Sequence, residues 1–231
     1  MQEDIRGLLD QWPHDPDRLN ARLIKVGDGR SVIQVRVELG LLQMELTGRP
    51  DGGVDVLAAV EARLEKEPDL VIDSQVAADL RAEAVLVHQR YVARLAIEDY
   101  AGVVIDTQRN LRVFDLCRDH AEVPEDRQIL ERFRAEVVAT RARAAALDAI
   151  RSQRSSDARG LLDDAIEEIR AGTAKDAADP LEVAMLEGMR DVLQPKLPVS
   201  QRHELERRLA SALANENYEL AAILRDELRQ L

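Results

Sequence analysis

The stretch from Val54 to Val192 restricts the fold most, because its sequence is helical in character almost throughout. Prolines, glycines and Ser or Asp caps interrupt it at short intervals, so several helices of ordinary length are expected instead of one long rod. The predicted helices span residues 54–67, 74–97, 99–118, 126–152, 157–171 and 180–193. Helices joined by such short breaks should pack against one another as a helical scaffold.

The composition agrees with helices that pack on helices. Only 3% of the 231 residues are aromatic, so the core must be built from Leu, Val, Ile and Ala. Abundant Arg and Glu also favour helix formation. The chain is long enough to bury a true core, in one domain or two.

A strand pattern replaces the helical one between Ala21 and Thr47. Val and Ile alternate on both sides of Gly27-Asp28-Gly29-Arg30, which is typical of a β-hairpin. The three predicted strands are residues 21–26, 32–37 and 41–46. The polar face of this sheet should carry Lys25, Gln34, Arg36 and Glu38. Its other face should be covered by a short helix at residues 2–11 or by the helices that follow.

Part of the scaffold resembles a helical-hairpin repeat. The sequence from Tyr91 to Leu111, with Asp99-Tyr100-Ala101-Gly102 in its middle, is similar to a tetratricopeptide repeat, and a weaker echo lies at residues 142–166. This resemblance implies paired helices that stack through small residues. An ordinary antiparallel bundle is the alternative.

The last residues, 201–231, have the pattern of two helices separated by a polar break at Asn215–Asn217. One apolar stripe on each arm consists of Leu205, Leu209 and Leu213 in the first and Leu220, Leu224, Leu228 and Leu231 in the second. Helices of this length are only marginally stable in isolation, so the two arms should pack on each other and on a further surface. Two prolines within residues 194–200 predict a semi-rigid linker before this hairpin.

The terminal hairpin resembles the UVR motif. The resemblance rests on its leucine frame and on the run Tyr218-Glu219-x-Ala221-Ala222-x-Leu224-Arg225-Asp226, although Asn217 replaces the usual acidic residue before the aromatic. The motif is found in the UvrB and UvrC subunits of bacterial excision repair, in the ClpC unfoldase and in the McsA activator of a protein arginine kinase. In these proteins it is a docking device without catalytic residues.

The resemblance implies a partner-binding surface on the hairpin. The residues expected in the contact or its support are Leu209, Leu213, Tyr218, Ala221, Ala222, Leu224 and Leu228, with Arg225 and Asp226 as polar pairing residues at the rim. The partner would be a second copy of the chain or another protein, such as a UvrB-, UvrC- or ClpC-like one. The alternative is a hairpin that packs only on its own domain.

These patterns predict a mainly α protein. It would combine a tetratricopeptide-like bundle with a small N-terminal antiparallel sheet and a C-terminal UVR hairpin. The predicted regions are residues 1–53 for the first helix and the sheet, 54–193 for the scaffold, 194–200 for the linker and 201–231 for the hairpin.

The sequence shows no catalytic constellation. Cys117 and His120 offer only half of a structural zinc site, so a buried thiol and a helix-end histidine are the favoured interpretation. The loop Gly27–Ser31 leads into a strand and lacks the ending of a phosphate loop. We therefore predict no enzymatic activity, no cofactor and no metal.

The charge balance opposes broad binding to nucleic acid or to anionic membranes, because the formal net charge is −12. The arginine-rich helix around residues 132–154 is an exception. Its Arg141 and Arg143 could contact nucleic acid, with pairing to acidic neighbouring helices as the favoured alternative. The single cysteine, the amino terminus and the lack of a long apolar run predict a cytoplasmic protein.

Two functions are consistent with these features. The first is an interaction or adaptor protein that docks partners through its C-terminal hairpin, which includes a role beside a ClpC-like unfoldase. The second is an accessory factor of excision DNA repair that binds UvrB, UvrC or DNA.

Overall fold

Helices make up most of the structure, as predicted, and a small sheet precedes them. The computed structural model describes residues 4–174, 177–193, 199–214 and 218–229. In chain order the elements are α1 (Arg6–Asp10), β1 (Asn20–Lys25), β2 (Ser31–Val37), β3 (Gly40–Glu45), α2 (Val56–Leu64), α3 (Ser74–Ala96), α4 (Tyr100–His120), α5 (Pro124–Gln128), a 3₁₀ turn (Glu131–Phe133), α6 (Arg134–Arg151), α7 (Ser155–Gly172), α8 (Leu181–Val192), α9 (Val199–Ala214) and α10 (Tyr218–Arg229). The chain divides into two compact units, Met1–Leu186 and Glu187–Leu231.

The sheet is antiparallel with the strand order β1-β2-β3, which confirms the predicted hairpin and third strand. The β1–β2 turn is closed by the N–H of Val26, which donates to the carbonyl of Arg30 at 2.8 Å. Gly29 has a φ of 86°, a conformation that costs glycine little. Local turn chemistry therefore explains this hairpin.

One face of the sheet carries a row of polar side chains. Gln34 accepts a hydrogen bond from Arg22 at 2.8 Å and donates one to Gln43 at 3.1 Å, across all three strands. Arg36 is also buried on this face and donates to the carbonyl of Trp12 at 2.9 Å. The polar face is thus partly covered by the segment that contains Trp12.

The predicted membership of the polar face was wrong for two residues, Lys25 and Glu38. Lys25 pairs with Ser31, in the same alternating set as the pair Leu23 and Ile33, so it lies at the end of the other face. It remains exposed there because the strand ends beside the turn. Glu38 lies in the β2–β3 turn and is exposed as well.

Helix α3 covers the apolar face of the sheet. Ile33, Val35 and Met44 form a buried cluster with Ala93 of α3, and Ile97 packs against it. Of the two covers that the sequence left open, the helices that follow the sheet therefore provide this one. Helix α1 is short and has no buried residue.

The scaffold helices pack in succession, α3 on α4, α4 on α6, and α6 on α7. Asp73 caps α3 by accepting from the N–H of Val76 at 2.9 Å, and Asp99 caps α4 by accepting from Gly102 at 3.1 Å. Such caps satisfy backbone donors at helix starts, which is why these boundaries were predictable to within a residue or two. No helix within the described ranges has the length and apolar character needed to cross a membrane.

The single helix predicted at residues 126–152 was wrong, since α5, the 3₁₀ turn and α6 occupy this stretch. Helix α5 starts at Pro124, two residues before the predicted start. Proline suits the first helical position because the N–H that it lacks would have no partner within the helix there. Ile129 and Leu130 keep helical backbone angles but form a turn, and Leu130 is buried. The N–H of Phe133 donates to the carbonyl of Leu130 at 3.0 Å, so 3₁₀ hydrogen bonding replaces the α-helical pattern here.

The second unit contains the terminal helical hairpin. Helices α9 and α10 pack on each other, as the two apolar stripes predicted. Helix α9 begins at Val199, so the last two residues of the predicted linker are helical. The rest of that linker, residues 194–198, and the predicted break at 215–217 lie outside the described residues.

Candidate functional site

The apolar residues of the hairpin fall into an inward and an outward set. The inward set is a core of Ala212, Ala221 and Leu224, against which Leu205 and Leu209 pack. Two alanines at the contact let the helix backbones approach closely. Three residues predicted in the partner contact or its support, Leu209, Ala221 and Leu224, therefore hold the two arms together.

The outward set consists of large apolar side chains that stay exposed. Tyr218 is 67% exposed, Ile223 63%, Leu213 51% and Leu220 38%. Ile223 and Leu224 are adjacent in sequence, but one step along a helix turns the side chain by about 100°. Large apolar side chains that stay exposed are candidates for burial against a partner.

The remaining predicted residues lie between these two sets or at their rim. Ala222 and Leu228 are half-buried. Arg225 and Asp226 are exposed and pair with each other, with 3.2 Å between the guanidinium and the carboxylate. Ile223 was absent from the predicted set. Its position on the helix face away from Leu224 is the signal that could have indicated it.

The structure also contains a buried ionic cluster that the sequence did not reveal. Arg90 and Asp106, both 1% exposed, form a bidentate pair with distances of 2.9 and 2.6 Å. Arg94 lies 3.0 Å from the same carboxylate. Arg90 also donates to the carbonyls of Glu45 and Gly48 at 2.9 Å, and so ties the end of the sheet to α3 and α4.

A second buried carboxylate, Glu83, joins α2 to the same helices. It accepts hydrogen bonds from the backbone N–H of Val56 at 2.7 Å and from Arg109. Arg109 also pairs with Asp55 at 2.5 Å. Burial acts to raise the pKa of Asp55, but the bonds from Arg109 and from the N–H of Ala58 hold it below its usual value. Carboxylates paired with guanidinium groups in this way connect neighbouring elements and are poor candidates for proton transfer.

Cys117 and His120 do not form a metal site. Cys117 is fully buried in α4, and His120 Nδ1 lies 3.1 Å from the carbonyl of Leu70. Across the described part of the chain, no three His, Cys, Asp or Glu side chains are grouped closely enough to hold a metal ion.

We expect native Cys117 to resist alkylation. Burial raises the pKa of its thiol from 9.0 to about 11, so at pH 8 the reactive thiolate is roughly a hundredfold scarcer than for an exposed cysteine. Incubation with iodoacetamide at pH 8 should leave the mass of the native protein unchanged, whereas one label should appear in denaturant. The chain has one cysteine, so the added mass is unambiguous. Rapid labelling of the native protein would contradict the buried position.

The two arginines proposed for nucleic acid have different surroundings. Arg141 pairs with Glu168 of α7 at 2.5 Å, which is the intramolecular alternative that the sequence favoured. Arg143 is exposed. Further along, Arg151 pairs with Glu98 at 3.6 Å, so acidic neighbours offset part of the local positive charge.

Comparison with known protein families agrees with the geometry of the hairpin. Residues 200–231 match the model of the UvrB/uvrC motif, UVR, which confirms the resemblance and covers α10 and nearly all of α9. The chain therefore contains a UVR motif, which indicates an interaction with protein or DNA. No curated protein and no solved structure matches the chain. The tetratricopeptide resemblance of the scaffold stays a prediction.

Proposed function

We propose that the chain is a non-enzymatic interaction protein that docks a protein partner through its C-terminal UVR hairpin. The match of residues 200–231 to the UVR motif carries this proposal. The exposure of Leu213, Tyr218 and Ile223 supports it, because burying large apolar side chains against a partner is favourable.

A second helical hairpin is the partner that suits this surface best. Helices α9 and α10 have 16 and 12 residues, too few to bury all of their apolar side chains against each other. Packing against another hairpin would cover the outward set in a larger helical bundle. Arg225 and Asp226 at the rim would then pair across the interface and favour one orientation. The second hairpin would belong to another copy of the chain or to a UvrB-, UvrC- or ClpC-like protein.

Excision repair is the more specific alternative, in which the chain acts as an accessory factor that binds UvrB or UvrC. The name of the matching motif favours this branch. Direct binding to DNA has less support, since the net charge is −12 and Arg141 is paired with Glu168. An adaptor beside a ClpC-like unfoldase would use the same hairpin.

Deletion of residues 199–231 should abolish docking. The deletion removes the UVR hairpin and spares the unit Met1–Leu186, so the sheet and the scaffold helices should stay folded. Self-association is measured by sedimentation velocity. Binding to isolated UVR hairpins of UvrB, UvrC and ClpC is measured by calorimetry, which also separates the repair branch from the unfoldase branch.

The matched control is Val71→Ser, which changes an exposed apolar side chain of the scaffold and should leave docking intact. Circular dichroism should show that the deleted chain loses only the helical signal of α9 and α10. If the deleted chain associates or binds as well as the full chain does, the proposal is wrong.

A further inference from the structure

A groove of about 420 Å³ is lined by residues of the scaffold. One wall is α3, the opposite wall is the segment 129–137, and α4 contributes to the floor. The break between α5 and α6, where the predicted helix failed, forms part of the second wall. Its volume falls within the range of small-molecule sites, about 300–1,000 Å³.

The few aromatic residues of the chain are concentrated in this groove. The sequence has only two phenylalanines and three tyrosines, yet Phe114, Phe133 and Tyr91 all line it. Phe114 and Tyr91 are buried, and Phe133 is 39% exposed at the mouth. Aromatic rings favour offset or edge-to-face packing with another ring. Such a lining in a chain that is poor in aromatics points to a planar aromatic ligand.

The charge of the groove lining differs between the part near Arg132 and the part near Tyr91. The guanidinium of Arg132 stands 4.6 Å from the centre of the Phe133 ring, and it has no carboxylate partner among the residues that the structure describes. Arg81, on the opposite wall, is already paired with Asp126 at 2.5 Å. Glu136 also lines the groove, and burial together with the charge of Glu136 raises the pKa of Tyr91, so Glu136 makes the surroundings of Tyr91 negative. An acidic group would therefore be favoured beside Arg132 and disfavoured near Tyr91.

Hydrogen-bonding groups line the inner part of the groove. The hydroxyl of Tyr91 lies 2.8 Å from His88 Nδ1. Asn110 donates through Nδ2 to the carbonyl of Ala84 at 3.0 Å, while its buried Oδ1 has no hydrogen-bond partner in the structure. Buried acceptors are normally satisfied, so a ligand with an N–H or O–H donor on its aromatic part suits this end.

We propose that this groove binds a small planar aromatic acid, with the ring against Phe114 and Phe133 and the acidic group beside Arg132. This function is separate from docking through the hairpin, and neither proposal rests on the other.

The fluorescent probe 8-anilinonaphthalene-1-sulfonate tests the proposal, because it combines aromatic rings, one N–H group and an acidic group. We expect saturable binding of one molecule per full-length chain. Phe133→Ala should weaken that binding about tenfold, since it removes the ring at the mouth. Arg132→Gln should weaken it about threefold, yet leave binding of the uncharged N-phenyl-1-naphthylamine unchanged.

Each variant has a matched control outside the groove. Leu161→Ala removes an apolar side chain that is 37% exposed on α7, and Arg143→Gln removes an exposed arginine of α6. Both should bind the probe as the unaltered chain does, and so should Ile223→Ser in the hairpin. Val85 lines the groove and is 57% exposed, so Val85→Glu should block the groove with a charged side chain. This variant tests the proposal independently if Phe133→Ala fails to fold.

Three results would overturn the proposal. The first is probe fluorescence that does not saturate. The second is equal affinity in the Val85→Glu variant and the unaltered chain. The third is loss of probe binding in the Ile223→Ser variant, which would show that the probe binds to the hairpin and would leave the docking proposal unaffected.

Discussion

Asp106→Ala should lower the free energy of unfolding by about 3–5 kcal/mol. The change removes the carboxylate that Arg90 and Arg94 share and leaves both guanidinium groups buried. Arg90 would keep its bonds to the carbonyls of Glu45 and Gly48, but they do not neutralise its charge. Small domains are stable by only about 5–15 kcal/mol, so the loss is a large share of the total.

Urea denaturation followed by circular dichroism measures this loss. Arg159→Ala is the control, because it removes an exposed ion pair with Asp163 at 3.8 Å and should cost less than about 0.5 kcal/mol. Asp106→Asn keeps an oxygen acceptor and should fall between the two. If Asp106→Ala and Arg159→Ala have equal effects, the buried cluster does not hold the sheet to the helices as we describe.

Leu224→Ala and Ile223→Ser, at neighbouring positions of α10, should have different consequences. Leu224 is 2% exposed in the hairpin core, and its truncation should cost about 2–5 kcal/mol. Two short helices cannot tolerate such a loss, so α9 and α10 should unfold and docking should disappear. Ile223 is exposed, so its change should leave the hairpin folded. It should weaken docking about ten- to a hundredfold through lost apolar burial.

Hydrogen exchange with mass spectrometry separates the two effects. Peptides from α10 should exchange rapidly in Leu224→Ala and at the unaltered rate in Ile223→Ser. Calorimetry with the partner hairpin should show weaker binding in both variants. Unaltered affinity in Ile223→Ser would mean that the partner contacts another face of the hairpin.

Features that depend on neighbours in the sequence were predictable. The caps at Asp73 and Asp99, the turn before β2 and the two leucine stripes of the hairpin all rest on contacts within a few residues. The UVR motif belongs to this group too, because its residues lie within one continuous stretch. Local chemistry suffices for such features, and tertiary packing did not override it.

Features that depend on distant residues were missed. Local periodicity continues through Ile129 and Leu130, yet the regular α-helix is interrupted there and Leu130 is buried. Charged residues in an amphipathic helix are expected in water, so nothing near Arg90 or Asp106 in the sequence indicates a buried pair. The aromatic groove also joins positions about 40 residues apart, from Tyr91 to Phe133, which no local pattern relates.

The sequence by itself determined that this protein is mainly helical and ends in a UVR hairpin with an apolar stripe on each arm. Only the tertiary structure decided how the apolar side chains divide. Leu209 packs against the hairpin core, whereas Leu213 of the same predicted stripe is 51% exposed. The physical reason is that a stripe specifies which residues prefer burial, whereas the partner helix selects which of them it can cover.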